Sequence, residues 1–266
     1  VSAHLKELLE RFSRGELSME EAVGQIRLHS LREVGGIAKI DPWRADRIDV
    51  PEAILAEGKE AEDLVNIAQA HLEEAGSVIV TRVSREHLQA LQKASFPEGT
   101  RFDWNERPRI AVLRSRDRRL TGGKVGVMSA GTADVAVAEE ARVTAEEMGC
   151  EVVAEYDVGV AGIHRLFPSL ENMVGVDAVV VAAGREGTLP AIVAGLVNAP
   201  VIALPVSTGY GAGGTGQAAL LSMLQSCSVL AVVNIDAGFV AGAFAAKIAN
   251  QRSKKTPSDS DFKKIL

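Results

Sequence analysis

Five stretches of the sequence hold residue types from which a reactive site could be built. "MSAGTAD" (128–134) brings Ser129, Gly131, Thr132 and Asp134 together. Small residues that open a helix leave backbone N–H groups free to hold an anion, and the hydroxyls and carboxylate add further contacts. Thr132 or Asp134 would serve equally well as an ordinary N-cap. In "VGVAGIHRLF" (158–167), His164 and Arg165 stand together in an apolar stretch. An arginine there can fork onto a phosphate, although a single histidine is more often structural. "AAGREGTLP" (182–190) sets Arg185 and Glu186 between Gly184 and Gly187. A carboxylate in a glycine turn is a candidate base, and a solvated loop pair is the plain alternative. "PVSTGYGAGGTGQ" (205–217) carries Gly209, Gly211, Gly213, Gly214 and Gly216. Such a loop lets backbone approach a ligand and move, but no Gly-Lys-Ser/Thr follows, so it is not a P-loop. The fifth stretch, "LLSMLQSCSVLAVVNID" (220–236), holds Cys227, one of only two cysteines. A free cysteine is usually a small buried hydrophobe. Cys150, in "MGCEVV", fits that description, and spacing alone does not separate the two.

The elements around these stretches alternate. From residue 124 onward the sequence predicts strands at "KVGVMSAG", "CEVVAEYDVG", "DAVVVAAG", "PVIALPVS" and "SVLAVVNID". Helices are predicted at "TADVAVAEEARVTAEEMG", "SLENMVG", "LPAIVAGLV", "TGQAALLSMLQSC" and "GAFAAKIAN". Solid aliphatic strands are those covered on both faces, as in parallel sheets. Strand–helix alternation then gives right-handed crossovers and a three-layer α/β/α domain. Ligands of such domains bind beyond the carboxyl ends of the strands, where four of the five stretches lie. Cys227 instead precedes the last strand.

Residues 1–100 read differently. Leu5, Leu8, Leu9 and Phe12 follow helical spacing. Ser18 with Glu21 forms a capping-box pattern that opens a second helix. Short strands are predicted at "IAKID", "EAILAE" and "SVIVTRV", with helices near 60–75 and at 84–93. This half is expected to be a helical hairpin followed by a small α/β unit. "SFPEGTRFDWNERPR" (95–109) has turn residues, charge and no period, and reads as a linker. The expected organisation is an N-terminal domain over 1–100, a catalytic domain over 110–250 and a loose polar tail over 251–266.

Composition narrows the function classes. A net charge of −6 spread along the 266 residues argues against nucleic-acid binding. No apolar run reaches the roughly 20 residues of a membrane helix, and the start of the chain has no signal-peptide core. Two cysteines make no disulfide framework, so a cytoplasmic protein with reduced thiols is expected. His4, His29, His71, His87 and His164 are scattered, with no metal-ligand spacing and no dedicated metal site.

"SAGTAD", "AGIHR", "AAGREGTLPAIVAGL", "PVIALP" and "ALLSML" resemble, in order and spacing, the phosphoribosylaminoimidazole carboxylases of the PurE type, over roughly residues 120–250. The departures are specific. Ala133 stands where that family has serine, Ala-Gly-Ile-His-Arg replaces Ser-Ala-His-Arg, and Thr188 occupies the position of the third-loop histidine. The Pro-Gly segment before the last strand is replaced around Cys227. Together with "PEAILAEGK", "TRVS", "DVGVAGIHRL", "GREGTLPAIVAGLV", "TGYGAGGTGQAALLSMLQSC" and "VVNIDAGFVAG", these departures resemble the LarB family over nearly the whole chain.

The resemblance implies a PurE-like, flavodoxin-like fold and a pyridinium-3,5-biscarboxylic acid mononucleotide synthase, which acts in nickel-pincer nucleotide synthesis for lactate racemase. It would carboxylate nicotinic acid adenine dinucleotide on its ring and hydrolyse the phosphoanhydride, releasing AMP. Carbon dioxide or bicarbonate is the co-substrate, Mg2+ is expected with the phosphates, and no organic cofactor is bound. By the family match Cys227 is the nucleophile. Glu186 is then the candidate base, and His164 assists proton transfer or shapes the pocket. Ser129, Gly131, Thr132, Asp134, Arg165, Gly184, Arg185 and Gly187 are candidates for substrate binding, and the glycine loop with Gly209, Gly211, Gly213 and Gly214 closes over the nucleotide. A homo-octamer is implied. Two other readings stay open: an aminoimidazole ribonucleotide carboxylase or mutase, and a non-catalytic nucleotide-binding protein.

Overall fold

The computed structural model describes residues 3–29, 31–41 and 43–255. Contacts divide the chain into two units. The first runs up to Asp103 and takes in Ala111–Arg116; the second comprises Trp104–Ile110 and the chain from Asp117 onward.

The first unit begins with α1 (Ala3–Ser13) and α2 (Met19–His29). The expected capping box forms, with the Ser18 N–H donating to Glu21 Oε2 at 2.8 Å and the Glu21 N–H to Ser18 Oγ at 3.2 Å. The Gly35-Gly36 pair is the turn of a small antiparallel hairpin, β1 (Arg32–Val34) with β2 (Ala38–Ile40). After α3 (Arg44–Ile48) come β3 (Ala53–Leu55), α4 (Ala61–Ala75), β4 (Ser77–Thr81) and α5 (Arg85–Lys93). Ser84 caps α5 by accepting from the His87 N–H at 3.1 Å.

The segment read as a linker is in fact structured. It carries β5 (Arg101–Asn105), which is followed by β6 (Ile110–Arg114) in a sheet of order β3-β4-β6-β5. β5 lies at the sheet edge and is nowhere fully buried, so Phe102 and Trp104 alone mark its inner face. Two alternating positions are too few for a period to stand out. The buried strand β6 pairs antiparallel with β4, which carries the first sheet beyond residue 110.

The second unit is built from β7 (Lys124–Ser129), α6 (Val135–Glu147), β8 (Glu151–Glu155), α7 (Leu166–Asn172), β9 (Ala178–Ala183), α8 (Leu189–Ala194), β10 (Val201–Pro205), α9 (Gln217–Leu224), β11 (Ala231–Val232) and α10 (Gly238–Lys255). All strand pairs in its five-stranded sheet are parallel, in the order β11-β10-β9-β7-β8. This is the flavodoxin-like order, with its switch point between β7 and β9. β9 and β10 are buried at every residue, as their solid aliphatic sequences require.

Two boundaries differ from expectation. β11 pairs over only two residues of the expected run 228–236, although the Val233 and Asp236 N–H groups still donate to the Ala203 and Pro205 carbonyls of β10. The tail begins later, since residues 251–255 continue α10; residues 256–266 lie outside the described residues. α10 is a core helix along α6. Ala241, Ala245, Ala246 and Ala249 are fully buried, and a Cβ on Gly242 would sit 2.3 Å from the Ala141 carbonyl oxygen. Among the described residues no helix is long and apolar enough to cross a membrane.

One buried group in the first unit is costly to charge. His71, on the inner face of α4, is 2% exposed, and its Nδ1 has no hydrogen-bond partner. Burial holds its pKa below the ordinary 6.5, against the opposing pull of Glu52 and Asp41. Above that value the ring is neutral in both folded and unfolded chains. As the pH falls below it, the unfolded chain takes up a proton that the buried ring resists, so folding stability is lost on acidification. Thermal melting should therefore fall from about pH 7.5 to about pH 5.5, and His71→Leu should narrow that gap. An unchanged gap in the variant would assign the acid sensitivity to other groups.

Candidate active site

The parallel sheet of the second unit sends its loops out at the carboxyl ends of the strands. There they enclose a cavity of about 560 Å³. Its lining comes from the loops after β7, β8, β9 and β10.

A single buried carboxylate ties three of these loops together. Asp134, 5% exposed, accepts the Gly131 N–H on Oδ2 at 2.9 Å. Its Oδ1 accepts the Gly184 N–H at 3.1 Å and the Thr208 hydroxyl at 2.8 Å. Asp134 stands at the start of α6 but makes no side-chain capping bond to that helix. Its lone pairs face the loops instead. The arrangement demands glycine at 184, where a Cβ would lie 2.5 Å from Thr208 Oγ1 and 2.9 Å from Asp134 Oδ1.

The second loop is fastened to the first. Ser129 is fully buried, and its hydroxyl oxygen accepts the Asp157 N–H at 3.3 Å while its carbonyl accepts the Val158 N–H at 3.0 Å. Ser129 thus braces the loop from beneath and is not among the residues that line the cavity. Asp157 lines the cavity and accepts from the Arg165 guanidinium. Arg165 lines it too, at the end of a 3-10 turn over Val160–Arg165. His164 is exposed and is not among the lining residues.

The third loop places Gly184, Arg185, Glu186 and Thr188 on the wall. Arg185 adopts φ 49°, a left-handed conformation that costs a non-glycine residue about 1–2 kcal/mol. Its guanidinium lies over the Tyr210 ring, 4.3 Å from the centroid, and donates to the Tyr210 hydroxyl. Gly187 closes the turn through its N–H to the Gly184 carbonyl at 2.9 Å and stays off the wall. From the glycine loop, the residues that reach the cavity are Thr208 and Tyr210; Gly209, Gly211, Gly213 and Gly214 do not. The structure therefore gathers Gly131, Thr132, Asp134, Arg165, Gly184, Arg185 and Glu186 at one place, and it adds Asp157, Thr208 and Tyr210. The missed residues share only their place, in the loops that follow strands: Asp157 after β8, Thr208 and Tyr210 after β10.

The two cysteines separate clearly. Cys150 is buried, donates to Asn250 Oδ1 at 3.2 Å, and has its thiol pushed up to about 11 by burial. Cys227 is exposed at the join between α9 and β11 and does not line the cavity. Its neighbour Ser228 donates to the Ala191 carbonyl of α8 at 2.8 Å, which anchors the join against that helix. Of the two, only Cys227 is exposed. Among the described residues, no group of three His, Cys, Asp or Glu side chains could hold a metal ion.

Comparison with known proteins agrees with this division. Residues 32–116 match the family described as the LarB/PurE-like N-terminal domain, and residues 124–261 match AIR carboxylase. The uncharacterized protein MJ0165 of Methanocaldococcus jannaschii is 39% identical over 254 residues, covering 94% of this chain and 98% of the relative. The crystal structure of Treponema denticola PurE aligns with a TM-score of 0.41 at 21% identity, over 54% of this chain and 94% of that one. The chain belongs to the LarB family, with a PurE-like carboxylase domain as its second unit.

Proposed function

We propose that this protein carboxylates the pyridinium ring of nicotinic acid adenine dinucleotide at C5 and hydrolyses the phosphoanhydride, yielding pyridinium-3,5-biscarboxylic acid mononucleotide and AMP. The observation that carries this reading is an exposed cysteine, Cys227, in a PurE-like unit whose third loop holds Thr188 where the PurE type has histidine. A purine carboxylase or mutase has use for that histidine and none for the thiol.

The chemistry calls for a residue that is both a good nucleophile and a good leaving group. A pyridinium ring is too electron-poor to attack carbon dioxide. The Cys227 thiolate adds to ring C4, and the ring becomes a neutral dienamine with nucleophilic density on C5. C5 bonds to the carbon of carbon dioxide. Glu186, on the cavity wall, takes the C5 proton and restores the enamine. The nitrogen pair then expels sulfur from C4, and the ring is aromatic again. In the separate hydrolytic step, water adds to phosphorus and splits the anhydride into AMP and the mononucleotide.

In this reading Arg165, Thr132 and the loop ordered by Asp134 take the ribose-phosphate end. Cys227 lies outside the cavity lining, so the ring extends toward the α9–β11 surface, on the same copy or on an adjoining copy of the proposed octamer. The negative charge of Glu186 favours a cationic ring. Mg2+ would enter on the substrate's own phosphate oxygens, where it neutralises charge. The described residues offer no three-ligand cluster for it.

Two substitutions test the assignment. Cys227→Ser should reduce ring carboxylation to background with the fold intact. Cys150→Ser, which alters the buried thiol's bonds to Asn250 and Ala246, should cost about 1 kcal/mol of stability and leave turnover nearly unchanged. The readouts are AMP release, a mononucleotide heavier by one carboxyl group, and a Cys227-dependent adduct in the intact-protein mass. Equal activity in the two variants would remove Cys227 from the mechanism. Glu186→Gln should lower kcat by about 10²–10⁴-fold with little change in KM. A rise in KM alone would make Glu186 a partner of the cationic ring and not a base.

A further inference from the structure

The cavity wall carries a cation bound to an aromatic face. Tyr210 is 73% exposed, and the Arg185 guanidinium sits 4.3 Å from its ring centroid. The two partners are held in different ways. Arg185 follows Gly184, whose N–H is fixed to the buried Asp134, so the arginine is set on a rigid turn. Tyr210 lies between Gly209 and Gly211 in the loop that follows β10. Thr208 is tied to Asp134 ahead of it, and a Cβ on Gly211 would meet nothing within 4 Å behind it. The loop is thus anchored at its start and unpacked at the tyrosine.

We infer that Tyr210 is a specificity-determining residue that reads the positive charge of the substrate ring: its face takes a cationic pyridinium in exchange for the Arg185 guanidinium. This rests on the dinucleotide reading above and deepens it. An aromatic face attracts a delocalised planar cation through its quadrupole, whether guanidinium or pyridinium. A neutral ring of the same shape offers nothing in return for the guanidinium it displaces. Arg185, once released, has its planar fork free for a phosphate or carboxylate of the same ligand. The exchange selects the oxidised, charged ring, the only form to which a thiolate can add at C4.

The test measures equilibrium binding of nicotinic acid adenine dinucleotide and of its borohydride-reduced, neutral-ring form. The Cys227→Ser background is used so that covalent addition contributes nothing. The oxidised form should bind about two- to thirty-fold more tightly, the range expected of a cation–π contact. Tyr210→Phe should keep that preference, and Tyr210→Leu should bring it close to one. Both changes fall on an exposed side chain, so folding is preserved. A preference that survives Tyr210→Leu, or equal binding of both forms by the tyrosine-containing protein, overturns the inference. Turnover by the protein with Cys227 intact reports separately on the function: if it releases AMP and the carboxylated mononucleotide, the function stands while the tyrosine assignment falls. If neither form binds and no product appears, both fall.

Discussion

The architecture of the site depends on one buried carboxylate. Asp134 lies at the switch point of the sheet, where the loops after β7 and β9 part, and it also reaches the loop after β10. A carboxylate this deep is tolerable only if donors replace the water it has lost. Three do so, and hydrogen bonds to a charged group each contribute about 1.5–3 kcal/mol. Because the donors come from three separate loops, satisfying one charge fixes the positions of all three. The demand for glycine at 184, the placement of Arg185 and the anchoring of Thr208 follow from that requirement.

The same rim holds backbone that would not be stable alone. Asp157, Arg185, Thr215 and Asp236 all have positive φ, and they belong to the segments following β8, β9, β10 and β11 respectively. Such conformations persist where surrounding bonds over-determine them, and they gather at functional sites. Here the bonds are visible. Asp157 is held by Ser129 and Arg165, and Asp236 by its N–H to the Pro205 carbonyl and by the Ser207 N–H to its Oδ1. The buried strands supply the rigid base on which these loops turn, and the loops give up local ease for a shaped cavity.

The sheet of the second unit was legible because burial on both faces leaves a plain mark: β9 and β10 are aliphatic throughout. Elements with one exposed face or few ladder bonds were less so, hence the linker that proved to be β5 and the long strand that proved to be the two residues of β11. The role of Asp134 could not be read. Its bonds to Gly184 and Thr208 span 50 and 74 residues, whereas the sequence around it offers only the local pattern of an N-cap. The bracing by Ser129 was hidden for a related reason: a hydroxyl at a strand end looks the same whether it faces a ligand or braces a loop. The glycines of 209–216 marked the right loop, but they shape its path while Thr208 and Tyr210 face the cavity. The two cysteines, alike in local sequence, differ only through the packing of α10 over one of them.

The site thus divides its work between elements under different constraints. Recognition is built on loops locked by a buried charge, where small displacements would break several bonds at once. Cys227 stands apart, on an exposed join beside α8, with Leu221, Leu224 and Val229 exposed around it on the same stretch. That separation suits the covalent chemistry proposed above. A thiol buried against the hub would be raised out of reach, as Cys150 is by its own burial. A thiol at the surface keeps its reactivity but has little grip, so the cavity must supply the positioning. In the proposed reaction, a cavity that grips the phosphate end and orients the ring toward an exposed sulfur would satisfy both demands, which a single buried pocket could not.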